Sequence, residues 1–200
     1  MTQSSAPPEA IIAATQRWVE RAVIGLNLCP FAKGVQTKGQ VHYVVSQADD
    51  APSLLIDLKQ QLQDLHTSDP AQRDTTLLIA PLVFPDFLDF NDFLDHADRL
   101  LRKMRLDSDY QIASFHPQFQ FADAEVDDIS HYTNRAPYPI LHLLREESID
   151  RAVEAFPDAA LIFEKNMETL RALGPAGWQA LDVGPAKACP AHPVTGDTAP

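Results

Sequence analysis

The sequence predicts an α/β fold with three layers, in which helices flank a mainly parallel sheet of about four strands. Short β-branched segments alternate with amphipathic segments along most of the chain, a pattern typical of crossovers between parallel strands. With 200 residues, 45% of them hydrophobic and 22% charged, the chain has the size and composition of one globular domain. An α+β sandwich with helices on one face is the alternative, because no helix is predicted between the third and fourth strands, so that these two strands could pair antiparallel.

The first predicted helix carries apolar residues at helical spacing from Ile11 to Leu26, and these form one wide stripe. We expect the helix to end by Leu28, because Pro30 disfavours helical geometry at the residue before it. A short β-branched strand follows at 41–46, "VHYVVS". The chain therefore begins with a helix and a strand.

The middle of the chain repeats this alternation. Pro52 opens a second helix whose leucines share one face. A strand is predicted at 75–80, "TTLLIA", and a third helix runs from about Asp86 to Met104. The segment 110–115, "YQIASF", is the third predicted strand.

The last elements follow a long irregular segment. "PILHLL" at 139–144 is predicted as a fourth strand or an extended buried segment. Helices are predicted at about 147–156 and 158–173, the second with Asp158 as its N-cap and with a glycine and a proline directly after its end. We expect one globular domain at 9–182.

Both ends are expected to be disordered. The leader at 1–8 is polar and contains two prolines. The tail at 183–200 has few large apolar residues that could pack against the domain.

Charge and composition narrow the classes of partner. The net charge is −12 and no block of basic residues occurs, so nucleic acids and anionic membranes are not expected as partners. No apolar run approaches the ~20 residues of a membrane span, and the first ten residues lack the pattern of a signal peptide. Cys29 and Cys189 form no recognisable disulfide framework. These features predict a cytoplasmic protein that binds small molecules or other proteins.

The segment 116–138 is the predicted ligand site. Connections longer than ~12 to 15 residues without regular structure are mostly functional or disordered. This one contains aromatic residues that can pack it onto the domain. Open α/β sheets bind their ligands beside the ends of strands, and this segment leaves the third strand.

Three histidines, His116, His131 and His142, lie in or near this segment together with Asp127 and Asp128. Imidazole and carboxylate groups can hold a divalent metal, although the spacing matches no known metal motif. Without a metal, His116 could act as a general acid or base, with Asp127 or Asp128 orienting an imidazole. Hydrogen-bonded structural histidines are the competing interpretation.

Arg135 is the predicted anion anchor. It lies between Asn134 and the rigid sequence Ala-Pro-Tyr-Pro, and a guanidinium held in place can bind a carboxylate or a phosphate in bidentate fashion. Asn134, Tyr132 and Tyr138 are further candidate substrate-binding residues. An ion pair with Asp127 or Asp128 that only fixes the loop is the alternative for Arg135.

Cys29 follows the first helix and is expected to be a packing residue more than a thiolate nucleophile, because no helix N-terminus or cation lowers its pKa. It is kept as a second-rank catalytic candidate. Trp178 is expected to anchor the core. The glycine-rich motifs of nucleotide-binding proteins and the serine-hydrolase elbow are absent, so no nucleotide cofactor is expected.

Several segments resemble a bacterial family of unknown function, DUF1415. These are "WVERAVIGLNLCPFAKGV", "FLDFNDFLD", "ASFHPQFQFAD" and "YTNRAPYPILHLLREESIDRAV", in this order. The resemblance implies that Cys29 lies in a signature segment, and it implies no activity. Where the family commonly has a serine, this chain has Ala136, so that hydroxyl is not essential here.

The resulting hypothesis is a small cytoplasmic enzyme that acts on an anionic small molecule. Arg135 would hold the anion and His116 would move a proton, and hydrolysis would be favoured if a divalent metal is bound. A catalytically silent module that binds a metabolite or a metal is the alternative. An interaction protein whose loop docks a partner chain is a third possibility.

Overall fold

The computed structural model describes residues 6–155 and 161–187. They include a four-stranded sheet and the helices that pack against it. The strand order is β1-β2-β4-β3. The strands are β1 at Val41–Val45, β2 at Thr75–Ile79, β3 at Tyr110–Phe115 and β4 at Ile140–Arg145. All four predicted strands are therefore present in a mixed α/β fold.

The expectation of a mainly parallel sheet is wrong. β1 and β2 pair in parallel, but β4 pairs antiparallel with both β2 and β3. The physical reason is the connection between β3 and β4. It contains no crossover helix, so the chain turns back and inserts β4 beside β3 in the opposite direction. The antiparallel pairing raised for the α+β alternative is thus observed.

Helices precede, separate and follow the strands. The acidic residues before two of the long helices act as N-caps, since the Asp50 carboxylate accepts the Ser53 N–H at 2.8 Å and the Asp86 carboxylate accepts the Leu88 N–H at 2.8 Å. The helices are α1 at Pro8–Trp18, a π-helix at Val19–Ile24, α2 at Ala32–Thr37, α3 at Ala51–Thr67, α4 at Phe87–Lys103, a 3₁₀ turn at Ile129–Thr133, α5 at Glu146–Ala155 and α6 at Ile162–Ala180.

Two buried clusters use alternate residues of the strands. Leu78 and Leu141 pack with α3 and α4, whereas Ile79 and Ile140 pack with α1 and the π-helix. Because successive strand residues point to opposite faces of a sheet, the two clusters contain alternate residues of β2 and β4. Each cluster also contains helical residues. The second cluster lies beside the connection between β3 and β4 and helps to position it.

Three features of the helices differ from the sequence prediction. The first helix changes to π geometry after Trp18, and α2 was not predicted. α6 does not end at Gly174. This glycine adopts a non-helical conformation (φ 65°, ψ 172°), and helical geometry resumes from Pro175 to Ala180. The predicted N-cap Asp158 lies outside the described residues.

Residues 181–187 form an irregular segment that packs against the domain, here called the strap. Arg17 Nε donates to the Asp182 carbonyl oxygen at 2.8 Å, and Arg21 donates to the Leu181 carbonyl oxygen at 2.9 Å. Further along the strap, Arg17 donates to the Gly184 carbonyl oxygen at 3.4 Å, and the Ala186 N–H donates to the Tyr138 hydroxyl at 2.8 Å. Residues 188–200 of the predicted tail lie outside the described part of the chain. Among the helices of residues 6–155 and 161–187, none combines the length and the hydropathy of a membrane-spanning segment.

Candidate functional site

Backbone hydrogen bonds fix the connection between β3 and β4 to the end of β3. The His116 N–H donates to the Asn134 carbonyl oxygen at 3.2 Å, and the Asn134 side-chain amide donates to the Ser114 carbonyl oxygen at 3.2 Å. The two ends of the irregular segment are thereby joined. The side-chain amide of Asn134, a predicted substrate-binding residue, is thus used in a structural hydrogen bond.

A chain of aromatic contacts packs the same segment between two helices. Phe87 of α4 contacts Phe119 with a centroid separation of 5.0 Å, Phe119 contacts Phe121 at 5.0 Å, and Phe121 contacts Phe163 of α6 at 5.9 Å. Such pairs add to the stability that burial provides. The packed loop expected from its aromatic content is therefore present.

His116 has a structural environment. Its side chain is buried, with 1% exposed, and stacks on Phe90 at 5.3 Å. Nδ1 accepts the Gln118 N–H at 3.0 Å, which leaves Nε2 as the protonated nitrogen that donates to the Phe84 carbonyl oxygen at 3.0 Å. Burial lowers the pKa of His116. A proton-transfer role would require at least one of these hydrogen bonds to break.

His131 is held in the same way. Its side chain is fully buried. Nδ1 accepts the Phe121 N–H at 3.1 Å, and Nε2 donates to the Glu125 carbonyl oxygen at 2.7 Å. The imidazole thus satisfies two backbone groups of the loop that would otherwise be paired within a helix or a sheet.

His142 lies on β4, away from the loop histidines. The Thr75 hydroxyl donates to the Leu143 carbonyl oxygen at 2.6 Å, so its oxygen accepts from His142 Nε2 at 2.7 Å. Burial lowers the pKa of His142 to about 4. The residue is neutral at physiological pH.

The structure does not bring these three histidines together as metal ligands. Each ring is fixed by its own set of protein partners. Within residues 6–155 and 161–187, no group of three or more His, Cys, Asp or Glu side chains is arranged to hold a metal ion. The donor set expected for a divalent metal does not converge there.

The two candidate carboxylates do not orient an imidazole. Asp127 is exposed. The Asp128 carboxylate accepts the Ser130 N–H at 2.7 Å, a hydrogen bond that lowers its pKa, and lies 3.8 Å from Arg171. Asp128 therefore caps the 3₁₀ turn, and its ionic partner is Arg171 where the sequence interpretation had paired it with Arg135.

Cys29 is partly buried beside the end of the π-helix. Burial raises the pKa of its thiol, although backbone hydrogen bonds from Phe31 and Ala32 act in the opposite direction. A raised pKa disfavours the reactive thiolate. A neighbouring imidazole could lower this pKa, but the ring nitrogens of His116 are bonded to Phe84 and Gln118.

A cleft of about 390 Å³ lies where the loop, the end of α6 and the strap meet. This volume is within the range of roughly 300 to 1,000 Å³ that is common for small-molecule sites. Loop residues form one wall, and α6 and the strap form the other. Its walls include Pro117, Tyr132, Arg135, Pro137, Trp178, Asp182 and Pro185.

Arg135 is preorganised in this cleft. Its guanidinium carbon lies 4.4 Å from the centroid of the Tyr132 ring, and Nε donates to the Phe119 carbonyl oxygen at 3.2 Å. No ion pair to Arg135 occurs within residues 6–155 and 161–187. One edge of the guanidinium is therefore fixed while its charge remains available for an anion.

The remaining candidate residues divide between the cleft and its support. Tyr132 lines the cleft and packs edge to face on Trp178, with the ring centroids 4.9 Å apart. The Tyr138 hydroxyl accepts the Ala186 N–H at 2.8 Å, so this residue holds the strap. Burial raises the pKa of Tyr138. His116 itself does not line the cleft, but the next residue, Pro117, does.

Sequence reasoning missed the second wall. Trp178 was expected to be a core anchor, and it packs at the border of the second cluster but also lines the cleft. Residues 183–187 of the strap were assigned to the disordered tail, whereas 181 and 182 were assigned to the domain. The available signal was Val183, an apolar residue that directly follows the predicted domain and is buried in the structure.

The fold and the cleft define an α/β protein with a mixed sheet and a small aromatic cleft, lined by Arg135 and Asp182, beside the ends of β3 and β4. The family model described as "Protein of unknown function (DUF1415)" matches residues 10–180. The chain belongs to this family, as the sequence motifs indicated. No curated protein and no solved structure shows a significant match.

Proposed function

We propose that the protein binds a small anionic molecule in the cleft, with Arg135 as the anion anchor. The observation that carries the proposal is the state of this side chain, which is stacked on Tyr132 and fixed through Nε to Phe119. A side chain already ordered in the free protein loses less conformational entropy when it binds. The cleft volume of about 390 Å³ suits a metabolite more than a macromolecule.

The proposal favours a binding module over an enzyme that depends on histidine chemistry. His116 and His131 are buried, and each uses both ring nitrogens on backbone groups. Neither imidazole lines the cleft. Metal-assisted hydrolysis at the three histidines loses its support for the same reason, since their nitrogens serve separate protein partners.

Two broader parts of the proposal rest on other observations. We take the sheet to be the middle of three layers, because the buried clusters contain helical residues and alternate strand residues. We take the protein to work in the cytoplasm, because the spacing of its two cysteines suits a reducing compartment.

A thermal-shift screen of carboxylated and phosphorylated metabolites tests the proposal. A ligand present at about 100 times its Kd stabilises the folded protein by about 2.7 kcal/mol. For a protein of this size that corresponds to a rise in Tm of roughly 5 to 10 °C. Arg135→Gln should abolish the shift, because the amide cannot neutralise an anion.

Arg99→Ala is the matched control. Arg99 is an exposed residue of α4 whose side chain donates to the Asp95 carbonyl oxygen of the same helix. This variant removes the same charge far from the cleft and should keep the full shift. Equal shifts in wild type and Arg135→Gln, or no shift with any anion, would refute the proposal.

A further inference from the structure

The charged side chains on the cleft walls set the charge of the ligand. Among the described residues that line the cleft, Arg135 is the cation and Asp182 is the anion. The Asp182 side chain is 75% exposed, and its carboxylate lies 3.8 Å from the guanidinium of Arg21, a residue that does not line the cleft. A dianionic phosphate would meet one lining cation and one carboxylate in a protein of net charge −12. A monoanion is neutralised fully by one guanidinium.

The apolar walls set the shape of the ligand. Tyr132 and Trp178 meet edge to face, with an interplanar angle of 69°. Three prolines, Pro117, Pro137 and Pro185, complete the surroundings. Aromatic and proline side chains present rigid apolar surface at little entropic cost, and aromatic rings prefer edge-to-face or offset contacts with another ring.

These two features together point to one ligand class. We infer that the cleft takes a planar aromatic monocarboxylate, whose carboxylate meets Arg135 and whose ring lies against Tyr132 and Trp178. The inference deepens the proposed function and rests on it. Carboxylate and guanidinium match in bidentate geometry, and the ring replaces water on the apolar walls.

Isothermal titration calorimetry with four probes tests the ligand class. Indole-3-carboxylate combines a ring and a single negative charge, acetate lacks the ring, phenyl phosphate carries a ring and a second charge near neutral pH, and indole lacks the charge. We expect indole-3-carboxylate to bind at least ten-fold more tightly than each of the other three.

Two variants separate the contributions of the charge and the ring. Arg135→Gln should weaken indole-3-carboxylate to the level of indole. Trp178→Ala should reduce its advantage over acetate to less than about three-fold, because the carboxylate contact remains while the ring loses a wall. Trp178→Phe keeps an aromatic wall and should retain most of the advantage, which separates loss of the contact from unfolding.

The outcomes distinguish this inference from the proposed function. Arg135-dependent binding in which phenyl phosphate or acetate equals or exceeds indole-3-carboxylate would overturn the aromatic monocarboxylate and leave the anion site intact. If the thermal-shift screen also finds no anion whose binding requires Arg135, the proposed function itself fails.

Discussion

Replacement of His116 by alanine separates a structural role from a catalytic one. The variant loses a ring that is 1% exposed and stacked on Phe90. It also removes the hydrogen-bond partners of the Phe84 carbonyl and the Gln118 N–H, both at 3.0 Å. The structure therefore predicts a large loss of stability from a residue that the sequence suggested as an acid or base.

The magnitude follows from these contacts. Truncation of a large buried side chain to alanine costs about 3 to 5 kcal/mol. A buried polar group left without a partner costs about 1 to 3 kcal/mol, and part of this is recovered if water enters the space. We expect a decrease of about 3 to 5 kcal/mol in the free energy of unfolding, a large share of the ~5 to 15 kcal/mol of a typical domain.

Urea unfolding followed by circular dichroism measures this loss. His96→Ala is the control, because His96 is an exposed histidine of α4 that stacks on Phe93, and it should change the free energy of unfolding by less than about 1 kcal/mol. His116→Asn keeps an acceptor for the Gln118 N–H and should fall between alanine and wild type. A loss below about 1 kcal/mol for His116→Ala would refute the structural role.

The remaining predictions concern other parts of the fold. The pKa of His142 falls from a usual 6.5 to about 4 in the folded protein. Between pH 6.5 and about 4, His142 is protonated in the unfolded chain but not in the folded protein. The free energy of unfolding therefore decreases as the pH falls through this range. Wild type should lose up to about 3 kcal/mol relative to His142→Gln in urea titrations at pH 4 and 7. Arg145 donates to the Leu65 carbonyl oxygen at 2.6 Å and to the Tyr110 hydroxyl at 3.0 Å. Arg145→Met should therefore lower the free energy of unfolding by roughly 3 kcal/mol in the same assay, and a near-neutral result would contradict this role. Arg17→Ala should accelerate hydrogen exchange in the strap about five-fold, as expected for roughly 1 kcal/mol of lost hydrogen bonding. Unchanged exchange would show that other contacts hold the strap.

The secondary structure followed from residue patterns, but the pairing of strands did not. The period of the leucines in α3 and the β-branched run of β2 are local signals, and both elements occur where they were predicted. The direction of β4 depends on how a long loop returns to the sheet, and no residue of β4 encodes that path. The π-helix at Val19–Ile24 also has a sequence that reads as ordinary helix.

The candidate site was predicted in part. Arg135 and Tyr132 do line a cleft, but the contacts that hold the guanidinium come from Tyr132 and the Phe119 carbonyl oxygen, and not from the rigid residues that follow Arg135. His116 illustrates what residue types cannot reveal. An imidazole suits proton transfer or loop support equally well, and only the position of the Phe84 and Gln118 backbone groups decides between them. The place of Trp178 in the cleft wall was missed because a tryptophan suits core packing as well as a ligand site, and it was expected to be a core anchor.

A crystal structure of the protein with its tightest-binding anion tests the central claim most directly. We expect the anionic group to lie about 2.7 to 3 Å from the terminal nitrogens of Arg135, between Tyr132 and the strap. An anion bound elsewhere, with the cleft filled only by solvent, would contradict it.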